Sequence, residues 1–311
     1  MAAPAPLLQP DAGARAEIAE FLDAHDGAAV HHLPFTGAAW DELVAREPGR
    51  FAAAVTRDDD GRPIGFAQAG RPTTDDRWVA EMVVSGTSVA DVGASLLVTL
   101  ARTIAANGGG RVDLWATEPT PGHVEAATRA AFEPFRTLVQ MKRPLPLDEA
   151  TVRSALDTPD GPLRTRPFRP GHDEDAFLEV NRISFADHPD QWRLDRAELD
   201  RTMAEPWFDS DGFLLTEADS RLAGFCWTKE FADLDPPEGE IHVIGVHPDF
   251  GGRGLGRALV VAGLAHLASR GMGVAMLFVE GDNDAARALY TKLGFDITRT
   301  DRAFTRTIEP R

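Results

Sequence analysis

The 56-residue stretch Glu240–Phe295, EIHVIGVHPDFGGRGLGRALVVAGLAHLASRGMGVAMLFVEGDNDAARALYTKLGF, restricts the possible folds of this chain more than any other part. Ile241–Val246 is a short apolar, β-branched run suited to a buried strand. It breaks at His247-Pro248 and enters a loop carrying Gly251, Gly252, Gly254 and Gly256. A helical pattern follows at once, with Leu255, Leu259, Gly263 and Leu267 on one stripe and Val260 and Leu264 beside it. Strand, glycine loop and helix start together make an anion site, because the first helical amides lack partners and the helix dipole favours negative charge. Arg253 and Arg257 add positive charge at the same place.

Two phosphate loops are excluded by spacing. A P-loop needs Lys and then Ser or Thr after its last glycine, and here Arg257-Ala258 follows Gly256. A dinucleotide fingerprint needs a third glycine or alanine, where this chain has Arg257 or Leu259 depending on the starting glycine. Further on, Val274–Glu280 reads as the next strand, Asn283 opens a helix containing Tyr290, and Leu293-Gly294-Phe295 ends it with glycine at the expected helix stop. This loop, second helix and ending resemble the acyl-CoA region of the GCN5-related N-acetyltransferases (GNAT family), whose loop reads Gln/Arg-x-x-Gly-x-Gly/Ala. Gly254 and Gly256 fill its glycine positions, and Gly251 stands where Gln or Arg is usual. That departure removes a side-chain contact but no amide. The resemblance implies that acetyl-CoA is held by the Ile244, Gly245 and Val246 backbone. It adds the loop residues Gly251, Gly252, Arg253, Gly254, Leu255, Gly256 and Arg257, and the helix start Asn283, Asp284, Ala285, Ala286, Arg287 and Ala288.

Charge and cysteine usage narrow the partners. The net charge is −17, from 32 basic and 49 acidic residues, which argues against nucleic acid or an anionic membrane. A single cysteine, Cys226, leaves no intramolecular disulfide and fits a reducing cytoplasm. It lies in the apolar run Gly224-Phe225-Cys226-Trp227, where it reads as a packed core thiol. No run of 18 apolar residues and no basic, apolar leader is present, so a cytoplasmic monomer without membrane association is expected.

The chain repeats one rhythm twice, with a period near 155 residues. Helical patterns at Ala14–Ala24 and Ala38–Arg46 precede strands at Phe51–Thr56, Pro63–Ala69 and Trp78–Val84, then a long helix at Ser88–Ala106, strand Val112–Thr117, helix Pro121–Ala131 and strand Thr137–Lys142. From Leu163 the same order returns and runs through Glu240–Phe295 to a last strand at Ile297–Thr305. Gly65-Phe66-Ala67 matches Gly224-Phe225-Cys226, and Glu81 echoes Glu240. The expected fold is α/β (α+β): two tandem GNAT-like domains, each a mixed, mostly antiparallel sheet flanked by helices. The expected division is 1–145, a proline-rich linker at 146–162, and 163–311. The copies differ chemically. The first has Gly86 and Gly93 in its loop but no arginine, and Asp91 puts negative charge where phosphates would lie. Its acyl-CoA loop is read as degenerate.

N-acetyl transfer needs a base for the acceptor amine and a proton for the leaving thiolate. An α-amino group titrates near 7.7–8.0, so a carboxylate suffices, directly or through water. Glu240, before the cofactor-gripping strand, is the candidate base, against a bland reading as a solvated strand-end charge. Tyr290 is the chain's one tyrosine and the candidate acid, against a reading as a core anchor. Lys229 ends an apolar strand and is either an acceptor contact or surface. His242 and His247 have no third ligand in pattern, so no metal is expected.

A narrower resemblance covers nearly the whole chain. Phe185-Ala186-Asp187-His188-Pro189-Asp190-Gln191, Trp207-Phe208-Asp209 and Trp227-Thr228-Lys229 are similar to the tandem-domain branch of the family that forms mycothiol. That likeness implies acetyl transfer to the cysteinyl amine of a glucosaminyl-inositol, with Asp190, Lys229, Glu240 and Phe278 at the acceptor, Glu240 as base and Tyr290 as acid. Two positions depart: Asp190 stands where Glu is usual, and Phe278 where a tyrosine touches the acceptor. Asp41 and Glu42 are candidates for an acceptor-binding acid in the first half. Two other readings stay open: acetylation of another amine (aminoglycoside, polyamine or peptide N-terminus), and a non-catalytic acyl-CoA-binding module.

Overall fold

The computed structural model describes residues 4–6, 12–25, 48–71, 77–86, 88–159, 161–186 and 194–311. By contacts the chain forms two compact units. Unit 1 comprises Met1–Val139, Glu280–Asp282 and Arg299–Arg311; unit 2 comprises Gln140–Val279 and Asn283–Thr298. A purely linear division assigns all of 163–311 to the second half, whereas the end of the last strand packs with unit 1.

Unit 1 contains β1 (Ala5–Pro6), α1 (Ala12–His25), β2 (Phe51–Arg57), β3 (Pro63–Gly70), β4 (Trp78–Val84), α2 (Val89–Ala106), β5 (Gly110–Thr117) and α3 (Pro121–Arg129). The helix expected at Ala38–Arg46, with Asp41 and Glu42, lies outside the described residues. Strand β6 (Glu133–Pro144) is shared between the units. Unit 2 continues with α4 (Glu149–Leu156), β7 (Asp157–Thr158), β8 (Gly161–Pro162), β9 (Thr165–Pro167), α5 (Glu174–Ser184), α6 (Arg196–Met203), β10 (Phe213–Ala218), β11 (Arg221–Phe231), β12 (Glu238–Val246), α7 (Leu255–Ser269), β13 (Val274–Glu280) and α8 (Asp284–Lys292). Strand β14 (Asp296–Ile308) closes the chain. The proline-rich segment expected as a linker holds helix α4, whose Asp148 cap accepts from the Thr151 amide at 2.8 Å and which packs on α7.

Within unit 1 the strands run in the order β1-β2-β3-β4-β5-β14; within unit 2 they run β6-β13-β12-β11-β10-β9. Each unit has one parallel pair across its central helix. In unit 1 it joins Trp78–Glu81 to Val112–Trp115, and in unit 2 Glu238–Ile241 to Val274–Leu277. In each case the ladder stops while both strands continue, so they part at their C-terminal ends.

The duplication read from sequence is visible in the packing. A Cβ on Gly65 would meet Leu96 of α2 at 2.8 Å, and one on Gly224 would meet Leu259 of α7 at 2.9 Å. Both units use a bare backbone position to seat the central helix on the sheet. Helix α2 is long and apolar enough to cross a membrane, yet Leu96, Leu97, Leu100 and Ile104 are buried in the core of unit 1. In unit 2 the other sheet face is aromatic: Phe213 stacks on Phe168 at 4.5 Å and on Trp227 at 4.4 Å, with Phe177 edge-on at 4.9 Å.

Gly263 lets α7 lie on β11 and β12. An added Cβ would stand 2.6 Å from Cys226 Sγ and 2.8 Å from Ile241 Cδ1. Gly263→Ala is therefore expected to destabilise the fold by about 1–3 kcal/mol despite alanine's better helix propensity, read as a fall in the denaturation midpoint. An unchanged or raised midpoint would contradict this packing.

Candidate active site

Glu240 is a mid-strand residue, not a strand-end one. Strand β12 begins at Glu238, paired with Phe231, and Lys142 of β6 holds the Glu238 carboxylate at 2.7 Å. The sequence reading started the strand at its apolar run, and the polar start is stabilised by that ion pair. The Glu240 side chain is 12% exposed. Directly opposite on β11 is Lys229, so the two side chains share one sheet face. Lys229 Nζ sits 4.4 Å from the centre of the Trp207 ring, a cation–π contact on a half-buried surface. On the same face His242 Nδ1 lies 3.5 Å from Glu240 Oε1. The candidate acceptor groups Lys229 and Glu240 are thus on one sheet face, which also carries the contacting indoles Trp207 and Trp227. Asp190 lies outside the described residues. Phe278 is a half-buried residue of β13.

The cofactor elements occupy the other end of β12. Past Ile241 the strand no longer pairs with β13, which leaves Val243–Val246 with an edge that an extended amide ligand could join. Ser184 Oγ donates to the Val246 carbonyl at 3.1 Å and fixes the strand end. The chain then turns through Pro248–Phe250, where His247 Nδ1 accepts from the Asp249 amide at 3.1 Å. His247 is a turn cap and His242 faces Glu240, so the two histidines serve different places. Gly252 and Gly254 have φ of +74° and +78°, which L side chains adopt with strain. Gly254 is the N-cap of α7, so the amides of Leu255, Gly256 and Arg257 open the helix without an i−4 partner. Helix α8 is capped by Asn283, whose Oδ1 accepts from the Ala286 amide at 3.1 Å; Asp284–Ala288 form its first turns.

Tyr290 projects from α8 and is 7% exposed. Burial pushes its phenol up to about 12, with a smaller contribution from Cys226. Cys226 pairs across the sheet with Ile244. At neutral pH the phenol holds its proton, the form an acid needs. Cys226 itself is fully buried, and burial pushes its thiol up to about 12, as a packed core residue requires.

One group of possible metal ligands stands apart: Asp209, Glu230 and His266 offer atoms within 4.8 Å of one another. Arg270 already supplies their positive charge, at 2.8 Å from Glu230 and 3.7 Å from Asp209.

Sequence reasoning missed two features. Trp207 was legible only as part of a motif, and the place of His242 depends on a bulge. The β11–β12 register steps from Trp227↔Val243 to Thr228↔Ile241, leaving His242 without a partner.

A parting pair of parallel strands with a glycine-capped helix at its mouth is the frame that an acyl-CoA-dependent N-acetyltransferase uses, and the chain is one. The family model "Acetyltransferase (GNAT) family" matches residues 177–295. A GCN5-related N-acetyltransferase from Sphaerobacter thermophilus superposes with a TM-score of 0.69 at 20% identity, covering 99% of this chain and 96% of that one. A tandem GNAT protein from the clavulanic acid biosynthesis pathway does so with a TM-score of 0.61 at 15% identity, covering 99% of each. The fold is therefore a tandem GNAT fold. At the level of sequence, the chain is 38% identical over 288 residues to the mycothiol acetyltransferase of Catenulispora acidiphila, covering 89% of this chain and 90% of that one. The chain belongs to the mycothiol acetyltransferase family.

Proposed function

We propose that this enzyme transfers the acetyl group of acetyl-CoA to the cysteinyl amine of a glucosaminyl-inositol, forming mycothiol. The observation that carries the reading is Glu240, paired across the sheet with Lys229 and standing on the strand whose far end forms the cofactor edge. Glu240 takes a proton from the acceptor ammonium. The neutral amine attacks the thioester carbonyl, the C–S bond breaks as Tyr290 protonates the departing thiolate, and the second amine proton, lost as the amide forms, returns Tyr290 to its phenol. Lys229, Asp190 and Phe278 contact the acceptor in this reading, and the Gly251–Arg257 loop with the start of α8 holds the CoA phosphates. The enzyme acts on a small molecule as a cytoplasmic monomer, without metal, nucleic acid or membrane. Its net charge of −17 supports the exclusion of polyanions.

A panel of amines that includes the cysteinyl glucosaminyl-inositol tests the acceptor. The highest kcat/KM is expected for that compound, and a larger value for an aminoglycoside, a polyamine or a peptide N-terminus would replace it. Phe278, apolar where the family places a tyrosine, is the position most able to shift that preference.

Tyr290→Phe removes one hydroxyl from a buried ring that packs on Phe295 at 5.9 Å. The expected result is a slower thioester cleavage, by about 10–100-fold, with the melting temperature nearly unchanged. A preserved rate together with a lowered melting temperature would make Tyr290 a packing residue.

A further inference from the structure

The Glu240 side chain is largely withdrawn from water, and a carboxylate in such a place needs a donor to fix its orientation. Lys229 is the obvious candidate by register, but its ammonium is drawn over Trp207, and among the described residues no ion pair joins it to Glu240. Glu238, the other acid of this face, is tied to Lys142 at 2.7 Å. What does reach Glu240 is His242, at 3.5 Å from Nδ1 to Oε1. Its ring is fixed on both sides: edge-on to Trp207 at 5.2 Å and 71°, and edge-on to Trp227 at 5.5 Å and 87°. The bulge that leaves His242 unpaired allows this placement, since the residue is freed from facing a partner on β11. The imidazole is 30% exposed, so its remaining nitrogen can exchange with water.

We propose that His242 is a positioning residue for the base: its Nδ1–H holds the Glu240 carboxylate turned toward the acceptor amine. The amine N–H bond breaks, the proton passes to the free Glu240 oxygen and then to solvent, and His242 keeps the other oxygen occupied. This rests on Glu240 being the base.

The test compares His242→Phe, His242→Asn and Glu240→Gln by steady-state kinetics across pH, with thermal melts as a check on folding. Phenylalanine keeps the edge contacts with both indoles but has no N–H. Its kcat is expected to fall about 10–100-fold with the KM for acetyl-CoA unchanged. Asparagine can place Nδ2 where Nδ1 stood, and is expected to restore most of the rate. A folded His242→Phe enzyme with the wild-type rate would overturn the proposal, as would an asparagine variant no better than phenylalanine. Glu240→Gln separates the two levels. If it keeps the wild-type rate, the base assignment fails and this proposal with it; if it loses the rate while His242→Phe does not, only the role of His242 fails.

Discussion

Glu240→Gln is expected to lower kcat/KM by about 10²–10⁴-fold at neutral pH while acetyl-CoA binds as in the wild type. Glutamine preserves the shape of the side chain and its β12 setting, so the sheet face with Lys229 and Trp207 stays intact. What is lost is an oxygen able to take a proton. The loss should depend on pH in a defined direction. An α-amino acceptor titrates near 7.7–8.0, so its neutral fraction rises through that range without help from the enzyme. The gap between wild type and variant is therefore expected to narrow as the pH is raised toward 9. Calorimetry with acetyl-CoA provides the control, because the proposed cofactor contacts are at Ile244–Val246 and on the following loop, away from Glu240. A near-normal rate at pH 7 would remove Glu240 from the mechanism.

Much of this was legible in the chain, for identifiable reasons. Strands such as Trp78–Val84 and Val274–Glu280 are predominantly apolar runs, and the structure places them at those limits. The start of α8 was legible because Asn283 caps it through its side chain. The polar beginning of β12 was not, because Glu238 belongs to the strand through Phe231, Val274 and Lys142, partners that only the folded sheet brings to it. Nor was the sharing of β14: one strand can serve two units, and nothing local in Asp296–Ile308 marks the change at Arg299. At the site, chemistry pointed to Glu240, Tyr290 and the glycine loop, since each residue type is unusual where it stands. His242 was read only as a possible metal ligand. Its contact with Glu240 depends on a one-residue bulge and on Trp207, both set by tertiary packing.

The contrast between the two glycine loops leads to the second large effect. A pyrophosphate needs convergent amides and little nearby negative charge. In unit 2 the cap of α7 offers both, and its glycines have room: a Cβ on Gly254 would meet only Pro159, at 3.9 Å, and one on Gly256 only Val246, at 4.0 Å. Aspartates there would disturb the backbone at Gly254, where φ is +78°, far less than they would repel phosphate. In unit 1 Gly93 lies inside α2 and is used for packing instead, since a Cβ there would stand 2.9 Å from Ala126 and 3.0 Å from the Met82 sulfur. Arg129 of α3 is engaged by Asp91 at 2.7 Å. Each missing charge-assisted phosphate contact costs about 1.5–3 kcal/mol. Two of them weaken binding by roughly two decades or more. Calorimetry is therefore expected to find one tight acetyl-CoA site per chain, abolished in the Gly254→Asp, Gly256→Asp double variant while its melting transition persists. A residual weak site is consistent with this, because pantetheine amides can still join a strand edge where phosphates find no support. Two comparable sites in the wild type would mean that unit 1 binds CoA through contacts other than a glycine-rich helix cap. Tight binding in the double variant would mean that the α7 loop does not hold the phosphates.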